Sequence, residues 1–291
     1  MDLPQKSVVL MGVPAAGKTT FLGALWYALK HAPSTEVHIT ALPEDQKYLN
    51  LISACWLHGK PLEHTNQGAR VVLSLSTGSG TGVMLCLPDA SGEVYQTQWA
   101  KRQWTTEYDK LAHSSSGVAV FVHPDHVRQG ALLADVAAAA DILGPGAVRV
   151  GTPGAATNTP WDPLRVPAET VLVDCLQFLL GAPCYRESLK VAIIVSAWDL
   201  IQPLGKSPRV WFESELPLLA QFCKANSPCI SLRCFGISAQ GWKYDDEQCT
   251  KELLEKNLDP VKRIIALDGD GAPVSIATPV LWLLSALSQA S

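Results

Sequence analysis

The chain has 291 residues, of which 47% are hydrophobic and only 17% are charged, a balance that excludes a disordered protein. The net charge of −4 argues against direct nucleic-acid binding, because surfaces that bind phosphate backbones carry a basic excess. No apolar run reaches the roughly 18 residues that a membrane-spanning helix needs, so we expect no membrane segment. The eight cysteines lack zinc-ligand spacing and fit buried thiols in a cytoplasmic protein.

Short, continuously apolar runs typical of buried strands recur along the chain. They predict strands at residues 8–11, 71–76, 83–87, 118–122, 191–195 and 234–237. A Gly/Ser/Thr turn separates the second and third runs, which predicts an antiparallel hairpin. Between the strands, helical patterns predict helices at residues 18–29, 99–112, 130–143, 168–180, 211–224, 251–257 and 278–287, with Pro217 kinking or delaying the fifth.

This alternation of strands and helices predicts an α/β fold. We expect a mixed, mostly parallel sheet of about six strands with helices on both faces. The stretch 144–167 is rich in Gly, Pro and Thr, and it predicts an inserted loop that is either functional or mobile. No domain linker interrupts the pattern, so residues 1–291 are expected to form one domain.

A glycine-rich loop follows the first predicted strand and precedes the first predicted helix. It matches the phosphate-binding pattern G-x-x-x-x-G-K-[ST] in full, and with the next threonine its residues are Gly12, Val13, Pro14, Ala15, Ala16, Gly17, Lys18, Thr19 and Thr20. In such a loop, backbone N–H groups at a helix N-terminus bind phosphates. Lys18 would contact the β- and γ-phosphates, and the Thr19 hydroxyl would bind Mg²⁺. The loop therefore predicts binding of a nucleoside triphosphate.

A second motif, Asp89-Ala90-Ser91-Gly92, comes directly after the strand predicted at 83–87. A carboxylate at a strand end can hold Mg²⁺, and the Gly92 N–H can reach a γ-phosphate. By itself, the motif is also compatible with an ordinary turn. Its place after the hairpin is where a Ras-like fold requires it.

Two further groups follow the last two predicted strands. Asp199 can accept hydrogen bonds from N1–H and N2–H₂ of guanine, a pair of donors that adenine lacks. Ser238 and Ala239 can offer a backbone N–H to guanine O6. Ligands of open α/β sheets bind at the carboxyl ends of the strands, so we expect these groups to meet the phosphate-binding loop there.

With these motifs in order, the sequence resembles the translation-factor-related class of GTPases. More narrowly, it is similar to bacterial double-GTPase families encoded in conflict and antiviral defence loci. The stretches 56–61, 216–219 and 277–282 strengthen this likeness, which covers nearly the whole chain. The resemblance implies a Ras-like fold that binds GTP, GDP and Mg²⁺. It also implies that Thr65, by its place before the hairpin, is the switch I threonine, with Thr40 and Thr81 as less well placed alternatives. In this interpretation Thr65, Thr19 and Asp89 hold the metal ion.

The chain departs from the pattern of that class in the base motif and after the Asp89 motif. Ser196 and Ala197 replace the Asn/Thr-Lys pair of the base motif, so the lysine stem that normally stacks along guanine is missing. Trp198 is one alternative source of apolar cover. Glu93 stands where Ras-like proteins usually carry a water-positioning Gln. A carboxylate there either polarises water as a general base or points away and leaves hydrolysis slow.

The resemblance implies a GTP-hydrolysing switch whose catalytic residues are Lys18, Thr65, Gly92 and Glu93. Its output would be regulation of a bacterial defence or conflict complex through partner proteins. Two alternatives remain open. The altered base motif also fits an ATP-dependent kinase or ATPase, and Glu93 also fits a scaffold that binds nucleotide without hydrolysing it. Arg102 is either an arginine finger toward the γ-phosphate or an exposed helix residue.

Overall fold

The computed structural model of the chain describes the strands and helices that surround the predicted phosphate-binding loop. The residues that it describes are 5–32, 37–43, 46–60, 69–77, 82–89, 98–104, 106–127, 166–181, 186–241 and 259–285. The predicted helices at 130–143 and 251–257 lie outside these ranges, as does the predicted insertion at 144–167 except for its last two residues.

Eight strands within the described residues form one mixed sheet. They are β1 Gln5–Met11, β2 Val37–Ala41, β3 Ala69–Thr77, β4 Gly82–Asp89, β5 Ser115–Val122, β6 Leu189–Ser196, β7 Ile230–Ser238 and β8 Ile265–Asp268. Their order is β2-β3-β4-β1-β5-β6-β7-β8. The five central strands from β4 to β7 run parallel to one another, whereas β2, β3 and β8 pair antiparallel with their neighbours.

The α/β fold and the hairpin are confirmed, but the sheet has two more strands than expected. All six predicted strands are present, and β3 and β4 pair with Val71 opposite Leu87. Strands β2 and β8, which form the two edges of the sheet, were not predicted. In β2, buried and exposed residues do not alternate regularly, since only its first residue is buried, and β8 has only four residues. Neither strand shows the continuous apolar run of one that is covered on both faces.

The described helices are α1 Lys18–His31, α2 Gln46–Leu57, α3 Thr106–Ser114, α4 Ala168–Leu180, α5 Pro208–Glu215, α6 Pro217–Ala225 and α7 Thr278–Leu284. The predicted helix at 168–180 is confirmed. Pro217 does more than kink the helix predicted at 211–224, because Leu216 leaves helical geometry and separates α5 from α6. The helix predicted at 99–112 is also interrupted, since Arg102 has a positive φ of 53°. Helix α2 was not predicted.

The helices cover both faces of the sheet, as predicted. Alternate residues of β1 face opposite sides, with Val8 in the core beneath α1, α2 and α7 and Val9 in the core beneath α3 to α6. Both residues are fully buried, which accounts for the unbroken apolar run of this strand. Among the described residues, no helix has the length and hydropathy needed to cross a membrane.

Candidate nucleotide-binding site

The glycine-rich loop connects the end of β1 to the start of α1 and lies close to two neighbouring strands. A Cβ at Gly12 would lie 2.8 Å from the carbonyl oxygen of Phe121 in β5. Gly17 has a φ of 88° and caps the N-terminus of α1. A Cβ there would lie 3.1 Å from Cβ of Ser196. Both glycines are therefore required by close packing, and Gly17 also by its left-handed backbone.

The Lys18 side chain is folded back over the loop. Its Nζ donates hydrogen bonds to the carbonyl oxygens of Gly12, at 2.8 Å, and Val13, at 3.2 Å. Lys18 is only 5% exposed. The ammonium group is thus held beside the loop where it would meet phosphate oxygens.

The remaining loop residues range from buried to exposed. Ala16 is buried, and its N–H donates to the carbonyl oxygen of Val13 at 3.3 Å. Pro14 is half-buried, whereas Ala15 is exposed and has a positive φ of 56°. Thr19 and Thr20 follow in the first turn of α1, where both are half-buried. The first turn therefore presents two hydroxyl-bearing residues beside the loop.

The residues of the base motif follow the end of β6. The hydroxyl of Ser196 donates to the carbonyl oxygen of Val122 at 3.1 Å, which joins the ends of β6 and β5. Ala197 adopts the left-handed conformation, and Asp199 lies in the 3₁₀ turn that follows. Among the described residues, the half-buried Asp199 carboxylate has no hydrogen-bond or ion-pair partner. It is therefore available for an external donor.

Trp198 does not provide the apolar cover for a base that the sequence suggested as one option. Its side chain is 1% exposed and packs directly over the backbone of Gly236 in β7. A side chain at position 236 would overlap the indole ring. Trp198 therefore belongs to the core beneath the sheet edge.

The loop after β7, residues 238–241, is held by its own side chains and by a distant helix. The Gly241 N–H donates to the Ser238 hydroxyl oxygen at 3.0 Å. The Ala239 carbonyl oxygen accepts from the indole N–H of Trp56 in α2 at 2.8 Å. Both Ser238 and Ala239 are buried.

Asp89 is the last residue of β4, the strand that pairs in parallel with β1. The topology therefore brings the backbone of Asp89 to the same sheet edge as the glycine-rich loop. Three other predicted site residues, Thr65, Gly92 and Glu93, lie outside the described residues.

The parallel strands thus bring four predicted elements to one edge of the sheet. These elements are the glycine-rich loop after β1, Asp89 at the end of β4, Asp199 after β6, and Ser238 with Ala239 after β7. Strand β1 lies between β4 and β5, so the loop sits between the Asp89 end and the base motif. Ligands of open α/β sheets bind at this edge.

A comparison with protein-family models agrees with this arrangement. The model of Double-GTPase 1 matches residues 9–283, nearly the whole chain. The chain belongs to the Double-GTPase 1 family. Membership supports GTP and GDP as the ligands and GTPase function for the domain. A search among curated proteins found no match.

The loop of this double-GTPase fits a phosphate group. A Cβ at Gly12 would press on Phe121, and a Cβ at Gly17 would press on Ser196, so the compact shape of the loop needs glycine at both positions. The loop leads into the N-terminus of the 14-residue helix α1, whose dipole favours an anion. For Mg²⁺, the fold brings Thr19, in the first turn of α1, and the backbone of Asp89, at the end of β4, to this edge, and both are residue types whose oxygen atoms the ion prefers.

Arg102 is not placed as a free arginine finger. Its guanidinium binds the Asp174 carboxylate of α4 at 2.7 Å and lies 5.1 Å from the centroid of the Phe178 ring. The same carboxylate oxygen accepts from the indole N–H of Trp99 at 2.7 Å. Arg102 therefore helps to anchor the segment after the Asp89 motif onto α4. The alternative interpretation of Arg102 as an exposed residue agrees better with the structure, since 58% of its side chain is exposed.

The helix and the side chains that hold the Ala239 loop were not predicted from the sequence. Trp56 and Ala239 are 183 residues apart, and Arg263 contacts Trp56 from a third segment. No local pattern links these positions. Only the packing of α2 against α1 brings Trp56 to this edge, with Gly23 of α1 lying against the Ile52 carbonyl.

Proposed function

We propose that this double-GTPase is a molecular switch that binds GTP and hydrolyses it to GDP and phosphate. One observation carries the proposal. The glycine-rich loop lies at the same edge of the sheet as the Asp199 carboxylate, which has no hydrogen-bond or ion-pair partner among the described residues, and the Ser238-Ala239 loop follows the strand beside it. A carboxylate at that place distinguishes guanine, which has two adjacent donors, from adenine.

Each residue of the proposed site would have its own role in phosphoryl transfer. The loop N–H groups and Lys18 bind the β- and γ-phosphates, where negative charge develops. Thr19, Asp89 and Thr65 would hold Mg²⁺, which neutralises phosphate charge when it is bound. Thr65 and Gly92 would contact the γ-phosphate, so that their segments order with GTP and relax after hydrolysis. Glu93 would orient or polarise the attacking water.

The output of the switch is proposed from the resemblance to defence-associated double-GTPases. The GTP-bound form would act in the cytoplasm on partner proteins of a bacterial defence complex. The negative net charge supports partners other than nucleic acid. We do not propose a membrane as a direct partner.

Equilibrium competition among GTP, GDP and ATP in the presence of Mg²⁺ tests the base specificity. We expect GTP and GDP to bind at least about a hundredfold more tightly than ATP, which corresponds to about 2.7 kcal/mol. Lys18→Ala should abolish binding of all three nucleotides. Lys30→Ala, an exposed position on the same helix, is the matched control and should leave binding unchanged.

Asp199→Asn tests the role of the carboxylate. An amide can donate to the 2-carbonyl of xanthine, whereas it leaves the guanine N2–H₂ facing another donor. We therefore expect the variant to lose affinity for GTP and to gain affinity for xanthosine triphosphate. Equal binding of ATP and GTP by the parent protein would favour the ATPase or kinase alternative. Tight GTP binding without any turnover would favour the scaffold.

A further inference from the structure

The Ala239 loop is tied to helix α2 by a buried hydrogen bond. Trp56, the penultimate residue of α2, donates its indole N–H to the Ala239 carbonyl oxygen at 2.8 Å. The Trp56 side chain is 1% exposed and Ala239 is 8% exposed, so water does not compete for this bond. A hydrogen bond shielded in this way is stronger than one at the surface.

Arg263 fixes Trp56 and the loop from the other side. Its guanidinium lies 4.0 Å from the centroid of the Trp56 ring and donates to the carbonyl oxygens of Trp56, at 2.7 Å, and Leu57, at 3.2 Å. The backbone of Arg263 also lies against the loop, since a Cβ at Gly241 would be 2.9 Å from the Arg263 carbonyl oxygen. The loop is thus held between one side chain and one backbone segment.

We propose that Trp56 is a positioning residue for guanine recognition, an inference that rests on the proposed function. The bond to the Ala239 carbonyl orients the peptide between Ala239 and Gln240 and restricts rotation at Ala239. The Ala239 N–H, one of the two backbone donors that this loop offers to guanine O6, lies in the peptide plane just before this carbonyl, so helix α2 also restrains its direction. An N–H that is already aimed at O6 binds it without the entropic cost of ordering the loop.

The same contact makes α2 part of the base site. Helix α2 ends at Leu57, shortly before the segment that contains Thr65. Base recognition therefore depends on a side chain from the element that leads toward the proposed switch I. In this arrangement, Asp199 accepts hydrogen bonds from N1–H and N2–H₂ of guanine. Trp56 affects only the hydrogen bond that the loop donates to the acceptor at position 6.

Trp56→Phe separates these two contributions, because it removes the indole N–H but keeps an aromatic ring in the core. The probes are GTP and 6-thio-GTP, which keep the same donors for Asp199 and differ at position 6. Sulfur is the weaker hydrogen-bond acceptor. We expect the parent protein to prefer GTP about tenfold, in the range of one well-placed hydrogen bond. In Trp56→Phe this preference should fall below about threefold.

Trp26→Phe is the matched control. Trp26 is equally buried, and its indole N–H donates to Asn50 Oδ1 at 3.1 Å, away from the Ala239 loop. This variant loses a comparable bond, so its preference for GTP over 6-thio-GTP should equal that of the parent. Arg263→Met is the second test should Trp56→Phe fail to fold, because it removes the bonds to the Trp56 and Leu57 carbonyls. It should lower the preference in the same direction.

The outcomes distinguish the inference from the proposed function. If Trp56→Phe still prefers GTP over 6-thio-GTP about tenfold, the role of Trp56 is overturned and the GTP switch stands. If only Arg263→Met folds, the same result in that variant has the same meaning. An equal fall in Trp26→Phe would assign the effect to general loosening of the fold and would also overturn it. A parent protein that binds ATP as tightly as GTP overturns the proposed function, and this inference with it.

Discussion

Gly17 and Ser196 lie in contact at the carboxyl edge of the sheet. A Cβ at position 17 would be 3.1 Å from Cβ of Ser196, whose hydroxyl is bound to the Val122 carbonyl. The phosphate loop and the first residue of the base motif are therefore packed against each other. The short serine side chain leaves room for the left-handed glycine, and a change at either residue is transmitted to the other.

Gly17→Ala should destabilise the protein, and Ala15→Gly should not. Gly17 has a φ of 88°, and the left-handed conformation costs a residue with a Cβ about 1–2 kcal/mol. The added methyl group also presses on Ser196. Ala15, at a φ of 56°, already bears such strain, so glycine there should leave the free energy of unfolding unchanged or raise it by up to about 1 kcal/mol. Urea unfolding of both variants measures the difference. A Gly17→Ala protein as stable as the parent would contradict the assigned backbone conformation.

Asp174→Ala should destabilise the protein by about 2 kcal/mol, because it leaves the indole N–H of Trp99 buried without its acceptor. Arg102→Ala removes the other partner of the same carboxylate. The Arg102 side chain is 58% exposed, so solvent screening limits its contribution to below about 1 kcal/mol. Chemical unfolding followed by tryptophan fluorescence compares the two. A larger loss for Arg102→Ala would show that the ion pair, rather than the indole bond, anchors this segment.

Gln240→Met should stabilise the nucleotide-free protein by about 1 kcal/mol. The Gln240 side chain is 6% exposed, and neither its oxygen nor its nitrogen has a hydrogen-bond partner among the described residues. An unsatisfied buried amide costs about 1–3 kcal/mol, and methionine fills a similar volume without it. Thermal unfolding without nucleotide measures the effect. Gln202→Met, at an exposed position, is the control and should change the melting temperature little.

Thiol labelling should divide the described cysteines into two groups. Cys175, Cys223 and Cys234 are buried, and burial raises the pKa of each thiol to about 12. Because the thiolate is the reactive form, these three should resist iodoacetamide at pH 8, and raising the pH to 9 should not make them reactive while the protein is folded. The half-buried Cys55 and Cys229 should react first. Mass spectrometry of the digested protein identifies the labelled positions, and early modification of Cys175 would contradict the described core.

Local patterns predicted the strand and the helix that flank the proposed phosphate site. The run from Val8 to Met11 is apolar because both of its faces are buried, and the loop after it has a complete motif within eight consecutive residues. Such features depend on neighbours in the chain. Edge strands β2 and β8 were missed because one-sided or short strands need little apolar sequence. The interruption of the helix predicted at 99–112 was missed because it depends on the left-handed backbone of Arg102 and on the contact of its side chain with α4, which is distant in the chain.

The α/β class and the phosphate-binding motif could be predicted from the amino-acid sequence, as could the order of the proposed guanine motifs, because apolar runs and short motifs consist of residues that are close in the chain. How the residues of the base motif are supported followed from the fold alone. It buried Trp198 against Gly236 and joined Trp56 to Ala239 across 183 positions. Side chains so far apart in the chain meet through the packing of α2 on α1 and the parallel order of the strands. Their contact depends on three-dimensional fit, for which a single sequence carries no local signal.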